Sequence, residues 1–251
     1  MLDSLVSIIT PAYCCAGVVG EMIQSVLDQT YEDWELLIVD DCSRDDTVAV
    51  IESYCNDDPR ISLICHHSNG GPAKSRNTAI KLSRGRWLAF LDSDDLWLPS
   101  KLEISLDYSR KSGASFVYTG FRRISADGAQ TGRYLAVPNR LTYRNLLCNT
   151  AIATSTVLID RSSVPDVFMR DTYYDDFDCW LRILKAGIVA HGINADLMRY
   201  RVSPNSISRK KCNSARMVWR AYRQLEGMGI ISSSFCFAQY AVRGVFKYSR
   251  L

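Results

Sequence analysis

Apolar runs recur through the first hundred positions, the first of them rich in β-branched residues, and the first three are each followed by a stretch of helical spacing. VSIITPAY (6–13) reads as a buried strand that empties into a loop at Pro11. Between Gly17 and Asp28 the apolar positions are 18, 19, 22, 23, 26 and 27, which predicts a helix. WELLIVDD (34–41) is a second strand, and SRDDTVAVIESYC follows with Ser43, Asp45 and Asp46 as capping candidates before another helix. ISLICH (61–66) is a third strand, GGPAKSRNTAIKLSRG (70–85) a Gly-Pro loop and a helix with a glycine stop, and WLAFLD (87–92) a fourth strand. This alternation predicts a doubly wound, Rossmann-like α/β fold with a mostly parallel central sheet flanked by helices, whose ligands sit beyond the strand carboxyl ends. Beyond residue 100 the pattern loosens. SFVYTGFRRIS (115–125) and TSTVLID (154–160) read as strands, and DDFDCWLRILKAG (175–187) as a helix closed by Gly187.

Composition narrows the class. A chain of 251 residues with 47% hydrophobic positions can fill a full core. Nine scattered cysteines, with no Cys-x-x-Cys pair, predict reduced thiols rather than a disulfide framework or a zinc site. The first residues carry an acid and no basic segment, so no signal peptide is expected, and no apolar run approaches the ~20 residues that span a bilayer. The net charge of +3 conceals an asymmetry: residues 199–251 hold eleven Lys and Arg against one acid, Glu226, while the rest holds 19 against 26. Arg216, Arg220 and Arg223 form one helical stripe, and Arg243, Lys247 and Arg250 repeat the spacing. Residues 209–251 therefore read as a basic amphipathic helical tail. It suits an anionic membrane surface, where each basic residue contributes ~1 kcal/mol, or it packs on the acidic body. No nucleic-acid recognition motif accompanies the charge, so nucleic acid is not an expected partner.

The stretch AFLDSDDLWLP (89–99) places Asp92, Asp94 and Asp95 at the end of the fourth strand. Asp-x-Asp after a buried strand suits a hard divalent cation, Mn²⁺ or Mg²⁺, although an Asx turn or a helix cap explains many such pairs. A second acidic strand end, Asp40-Asp41, falls in the same sheet, and in a parallel sheet these ends gather in one crevice. Uncompensated carboxylates there repel one another, and a cation resolves the repulsion. A phosphorelay receiver also pairs acidic strand ends. It requires a later strand ending in Lys, commonly before Pro, and no Lys-Pro occurs in the chain.

Four blocks in this order resemble the family 2 glycosyltransferases, inverting enzymes of the GT-A fold, over residues 5 to about 208. VSIITPAYC resembles the family's opening strand, SVLDQTYEDWELLIVDDCSRDDT its second block, NGGPAKSRNTAIKLSRGRWLAFLDSDDLWLPSKL its metal-binding block, and YYDDFDCWLRILKAG its catalytic helix. The resemblance implies one glycosyltransferase domain over 1–208, with a nucleotide-sugar half (1–100) and an acceptor half (101–208). It implies that Pro11 and Tyr13 flank the nucleotide base, that Asp41 accepts from the uracil N–H, and that Arg76 reaches the nucleotide or its phosphates. Asp92 would face the ribose or the metal, Asp94 would bind the metal, and Asp95 would bind it or cap the next helix. Asp176 matches the catalytic base. Asp175 stands where the family carries Glu, and with Trp180 it is an expected acceptor-side contact, while Asp178 and Arg182 read as an i, i+4 ion pair on the helix face.

Two departures shape the expectation. The Gln-x-x-Arg-Trp signature and long transmembrane segments of processive relatives are missing from this sequence, so one sugar per visit is expected. Ser203 stands where many relatives carry a His, and His66, His67 and His191 match nothing catalytic. The resemblance thus implies metal-dependent, inverting transfer of a hexose, glucose or galactose, from a UDP-sugar to an N-acetylhexosamine-diphosphoundecaprenol acceptor. That reaction belongs to O-antigen or capsule repeat-unit synthesis at the cytoplasmic face of a bacterial inner membrane. The alternatives are another donor such as UDP-GlcNAc, a protein or free glycan acceptor, or a silent sugar-nucleotide binder.

Overall fold

A computed structural model describes residues 2–164, 166–202 and 211–248. The first half alternates as its pattern predicts: β1 (Leu2–Ala12), α1 (Val19–Leu27), β2 (Trp34–Asp40), α2 (Thr47–Asp57), β3 (Ile61–Cys65), α3 (Gly71–Leu82) and β4 (Gly85–Phe90). The chain continues through β5 (Leu96–Trp97), α4 (Lys101–Ser112), β6 (Phe116–Ser125), β7 (Thr131–Leu135), β8 (Arg140–Leu141) and α5 (Tyr143–Leu147). It ends with β9 (Leu158–Asp160), α6 (Asp175–Lys185), β10 (Ala190–Val202), α7 (Lys211–Arg220), a π-helical turn (Ala221–Leu225) and α8 (Ile230–Tyr248).

The ten strands among the described residues belong to one sheet, ordered β3-β2-β1-β4-β9-β6-β10-β5, with β7 on β6 and β8 on β10. β1 to β4 are parallel, β9 runs antiparallel between β4 and β6, and β6 is parallel to β10. Every residue of β2 is buried, because helices cover both faces of a parallel sheet. Alternate side chains sort to the two sides. Leu36 and Ile38 pack with α1, α2 and α4, whereas Leu37 and Val39 face α3, α5, α6 and the C-terminal helices.

The sequence pattern is corrected in two places. The strand expected over 154–160 is a 3₁₀ turn at Thr154–Thr156 followed by only three strand residues, since the Thr156 hydroxyl bonds back to the Ala153 carbonyl. Of the expected caps of α2, Asp45 accepts from the Thr47 amide at the helix start (3.2 Å), whereas Asp46 at the N-cap position makes no side-chain cap bond. Ser43 accepts from the Cys14 amide (2.9 Å), Thr47 from the Cys15 amide (2.8 Å) and Asp45 from the Ala16 amide (3.2 Å), which stitches the loop after β1 to the loop after β2. Cys14 (φ 47°) and Cys42 (φ 65°) turn both strand ends through the left-handed region, an uncommon conformation for residues with a Cβ.

Candidate active site

The carboxyl ends of β1, β2 and β4 open on one side of the sheet, and the expected site residues stand there. Pro11 is half-buried in β1, and Tyr13 projects with 50% of its surface exposed, more open than ordinary strand-end packing. Asp41, just past β2, is buried. Its carboxylate accepts from the Gly70 and Gly71 amides (2.9 and 2.7 Å) and meets His66 Nδ1 at 2.9 Å, so it fixes the glycine loop that opens α3. Burial opposes its ionisation, but these bonds outweigh it and hold the carboxyl below the usual range. A uracil N–H would have to share oxygens that already accept from His66 and the loop. His66 is therefore more than packing, because its Nε2 also meets the Thr78 hydroxyl at 3.0 Å.

Arg76 on α3 is the junction of the site. Its Nη2 lies 2.6 Å from Asp92 Oδ1 and its Nη1 3.0 Å from Asp175 Oδ2, so one buried guanidinium ties the end of β4 to the head of α6. Burial pulls its pKa down, and Asp92, Asp175 and Asp176 more than reverse this, so the cation is held charged. The Asp175 carboxyl is pushed up to about 6, first by burial and then by Asp176, with Arg76 opposing. Asp176 accepts from the Thr154 hydroxyl on Oδ2 (2.7 Å) and from the Phe177 amide on Oδ1 (2.7 Å), which fixes its rotamer while it stays half-exposed.

The loop after β4 is held from behind. Asp95 is buried and accepts the Arg201 backbone amide at 2.9 Å, so it neither caps α4 nor faces the cleft; Ser100 stands at that helix start. Arg201, which pattern reading did not single out, donates to the Asp94 carbonyl (2.9 Å), the Ala126 carbonyl (3.0 Å) and Glu21 Oε2 (2.6 Å). Asp94 stays partly exposed, and its carboxyl is pushed up to about 6 by burial and by Asp92.

These charges test the expected cation. Asp92 and Asp94 present oxygen donors, and among the described residues Asp94 has no ion pair of its own while Asp92 is paired with Arg76, so the donor chemistry of the two carboxylates suits a hard divalent ion. Among the described residues no group of three or more His, Cys, Asp or Glu could hold a metal alone. An ion here would draw its remaining ligands from diphosphate and water.

Other expectations are corrected or fall elsewhere. Trp180 is 1% exposed and packs edge-on against Phe90 (5.4 Å) and Phe116 (5.3 Å), because its turn of α6 faces the sheet; it is a core residue, not an acceptor contact. The Asp178–Arg182 pair exists at 3.2 Å, but Asp178 is buried, and Arg182 also bonds Asp166. Of the basic stripe, Arg220 lies over the Tyr173 ring at 4.3 Å and Arg223 donates to the Met228 carbonyl, while Arg216 is exposed. Ser203, Arg250 and the side chains of Arg243 and Lys247 lie outside the described residues.

Comparison with known proteins agrees with this architecture. TuaG of Bacillus subtilis (strain 168), a glycosyltransferase named for teichuronic acid biosynthesis, is 38% identical over 244 residues, 97% of each chain. WfgD of Escherichia coli, named a UDP-Glc:alpha-D-GlcNAc-diphosphoundecaprenol beta-1,3-glucosyltransferase, is 38% identical over 221 residues, 87% of this chain and 85% of its own. Among solved structures, S. aureus TarS 1–349 with UDP superposes at TM-score 0.69 and 19% identity, covering 98% of this chain and 72% of that one. A mannosyltransferase of Pyrobaculum calidifontis in complex with GDP-Man and Mn²⁺ superposes at TM-score 0.69 and 15% identity, covering all of this chain and 79% of that one. At these identities the two structures establish the GT-A fold alone. The model of the family described as "Glycosyl transferase family 2" matches residues 7–168, from β1 past β9, and with the two 38% relatives it shows that this enzyme belongs to glycosyl transferase family 2.

Proposed function

We propose that the protein transfers one hexose, glucose foremost, from a UDP-sugar to an N-acetylhexosamine-diphosphoundecaprenol acceptor, with inversion to a β linkage, in bacterial polysaccharide repeat-unit synthesis. The observation that carries this reading is the Arg76 bridge, which joins a donor-side carboxylate, Asp92, to the head of the helix bearing Asp176. Residues 1–100 bind the nucleotide sugar and residues 101–208 the acceptor. Tyr13 and Pro11 flank the base, and Asp41 orders the loop around it. Asp92 and Asp94 would hold Mn²⁺ or Mg²⁺, which would offset the charge that develops on the departing diphosphate.

Asp176 takes the proton of the attacking acceptor hydroxyl. That hydroxyl approaches the anomeric carbon from the face opposite the nucleotide, so the new bond forms as the bond to the diphosphate oxygen breaks. Thr154 aims the Asp176 carboxylate by its 2.7 Å bond. Asp175 positions Arg76 between the two sides. The name of the relative WfgD supports both the glucose donor and the lipid diphosphate acceptor. A lipid-linked acceptor brings the enzyme to an anionic membrane surface at the cytoplasmic face.

The test is release of free UDP from a panel of UDP-sugars with Mn²⁺ and a synthetic GlcNAc-diphospholipid. Acceptor-dependent turnover of UDP-glucose, abolished by Asp176→Ala, is the expected result. Acceptor-dependent turnover of a different donor alone would overturn the glucose assignment, and failure to bind any UDP-sugar would overturn the nucleotide reading.

A further inference from the structure

α8 has two apolar faces, and only one of them is used. Its inner face carries Ser233, Cys236, Phe237 and Tyr240, with Cys236 buried and Phe237 edge-on to Trp219 at 5.6 Å. The outer face carries Ile231, Phe235, Ala238 and Val242 at i, i+4, i+7 and i+11, a single stripe of an α-helix. These side chains stand in solvent: Ile231 is 87% exposed, Phe235 67% and Val242 55%, and Ile230 beside them is 65% exposed. Four of the seven exposed large apolar side chains among the described residues therefore lie in the first thirteen residues of one helix. Such clustering marks a binding surface, whereas single exposed apolar residues are ordinary.

Charge identifies the occupant. Residues 211–248 contain six Lys and Arg and one acid, Glu226. That carboxylate is turned inward, 2.7 Å from Lys185 Nζ and 2.5 Å from the Tyr143 hydroxyl, with 3% of its side chain exposed. The tail thus shows no described negative charge to the outside. Arg144 on α5 is exposed and lines the groove beside Phe235 together with Gln239. A second copy docked stripe to stripe would bring these basic surfaces together with no outward-facing acid among the described residues of the tail to offset them, because a two-fold interface is self-complementary. An anionic lipid surface accepts both features at once, with apolar side chains in the acyl boundary and cations among the headgroups.

We infer that the outer stripe of α8, Ile231, Phe235, Ala238 and Val242, docks the enzyme on an anionic lipid bilayer. This deepens the functional reading and rests on it for the presence of a membrane-borne acceptor. The mounting is firm. Val218, Ala221 and Tyr222 of the tail belong to the main core, Tyr222 donates to the Leu147 carbonyl, and Arg220 stacks on Tyr173, two residues before Asp175. The docking helix is thereby coupled to the segment that leads into α6. The basic stripe expected from sequence is partly spent in these internal contacts, so the apolar stripe is the primary contact and the charge selects the lipid.

The test is co-sedimentation of the full chain with vesicles of phosphatidylglycerol and phosphatidylcholine against vesicles of phosphatidylcholine alone. The wild type is expected to bind the anionic vesicles, and the Ile231→Ser/Phe235→Ser/Val242→Ser variant at least tenfold more weakly, with unchanged circular dichroism. A Phe235→Leu variant keeps the binding. UDP release with a short-chain, water-soluble diphosphate acceptor is unchanged in the triple variant, while release with a vesicle-embedded acceptor falls. A triple variant that sediments like the wild type overturns the inference. So does a wild-type dimer that the variant breaks while neither binds vesicles, which would make the stripe an interface between copies. Vesicle binding that depends on the stripe, without UDP release from any acceptor, upholds the docking surface and sinks the transferase substrate assignment instead.

Discussion

The Arg76 guanidinium lies 3.0 Å from the Asp175 carboxylate, joining α3 to α6 across ninety-nine positions of sequence. Removing one member of a buried ion pair leaves the other charge uncompensated, at a cost of about 3 kcal/mol. Arg76→Met therefore lowers the melting temperature by roughly 10 °C for a chain of this size. Adding Asp175→Asn to that variant restores part of the loss, because it removes the stranded carboxylate. Thermal unfolding of the two single variants and the double variant reads the coupling, and strictly additive losses would contradict it.

Asp176 and Thr154 differ in the loss they predict. Asp176→Asn removes the base and lowers turnover by a factor of ~10² to 10⁴, with UDP affinity unchanged by calorimetry. Thr154→Val removes only the 2.7 Å bond that aims the carboxylate, so it lowers kcat about tenfold and leaves the donor KM in place. Thr154→Ser keeps the hydroxyl and recovers the rate.

Asp94 carries a charge that the metal-free protein holds at a cost, since burial and Asp92 both disfavour it. Asp94→Asn is expected to raise the melting temperature slightly at neutral pH without metal, and to weaken Mn²⁺ binding in the presence of UDP at least tenfold. Paramagnetic resonance of free Mn²⁺ measures the second effect. A variant that is less stable and still binds Mn²⁺ normally would refute both.

Glu35 provides a pH signature remote from the site. It is buried on β2 and accepts from the Ser7 hydroxyl (2.6 Å), the Arg84 amide (2.7 Å) and Arg84 Nε (2.8 Å). Burial opposes its ionisation, but these bonds prevail and its carboxyl sits below the ordinary value. A depressed folded pKa stabilises the protein above the unfolded value of ~4.3, and that contribution disappears as pH falls through the folded pKa. Glu35→Gln should cost about 2 kcal/mol at pH 7 and progressively less below pH 4. Urea unfolding at the two pH values makes the comparison.

The sheet was legible because its signal is local. β2, β3 and β4 are apolar runs of 7, 5 and 6 residues near their predicted positions, whereas β1 starts at Leu2, ahead of the expected Val6. Asp92 was legible from the Asp-x-Asp spacing after a buried strand, and Arg76 and Asp175 only through the family resemblance; spacing could not reveal that one guanidinium joins them. Trp180 was misread because the α6 pattern gives a helical period but not which side of the sheet the helix covers. His66 and Arg201 escaped for a related reason. Each acts on a residue 25 or more positions away, His66 on Asp41 and Arg201 on Asp94 and Asp95, and partnership at that range is set by strand order.

β9 is three residues long, yet it bonds β4 on one side and β6 on the other, and Asp160 within it receives Arg86 in a two-point grip. It is the rivet between the two halves of the sheet. A chimaera cut near residue 100, joining one enzyme's first half to another's second, would ask a foreign β9 to close the edge of β4. A mismatch there leaves an open strand edge that invites aggregation. Successful recombinants should therefore carry residues 85–90 and 158–160 from the same parent, so that sugar preference is exchanged through loops rather than through halves.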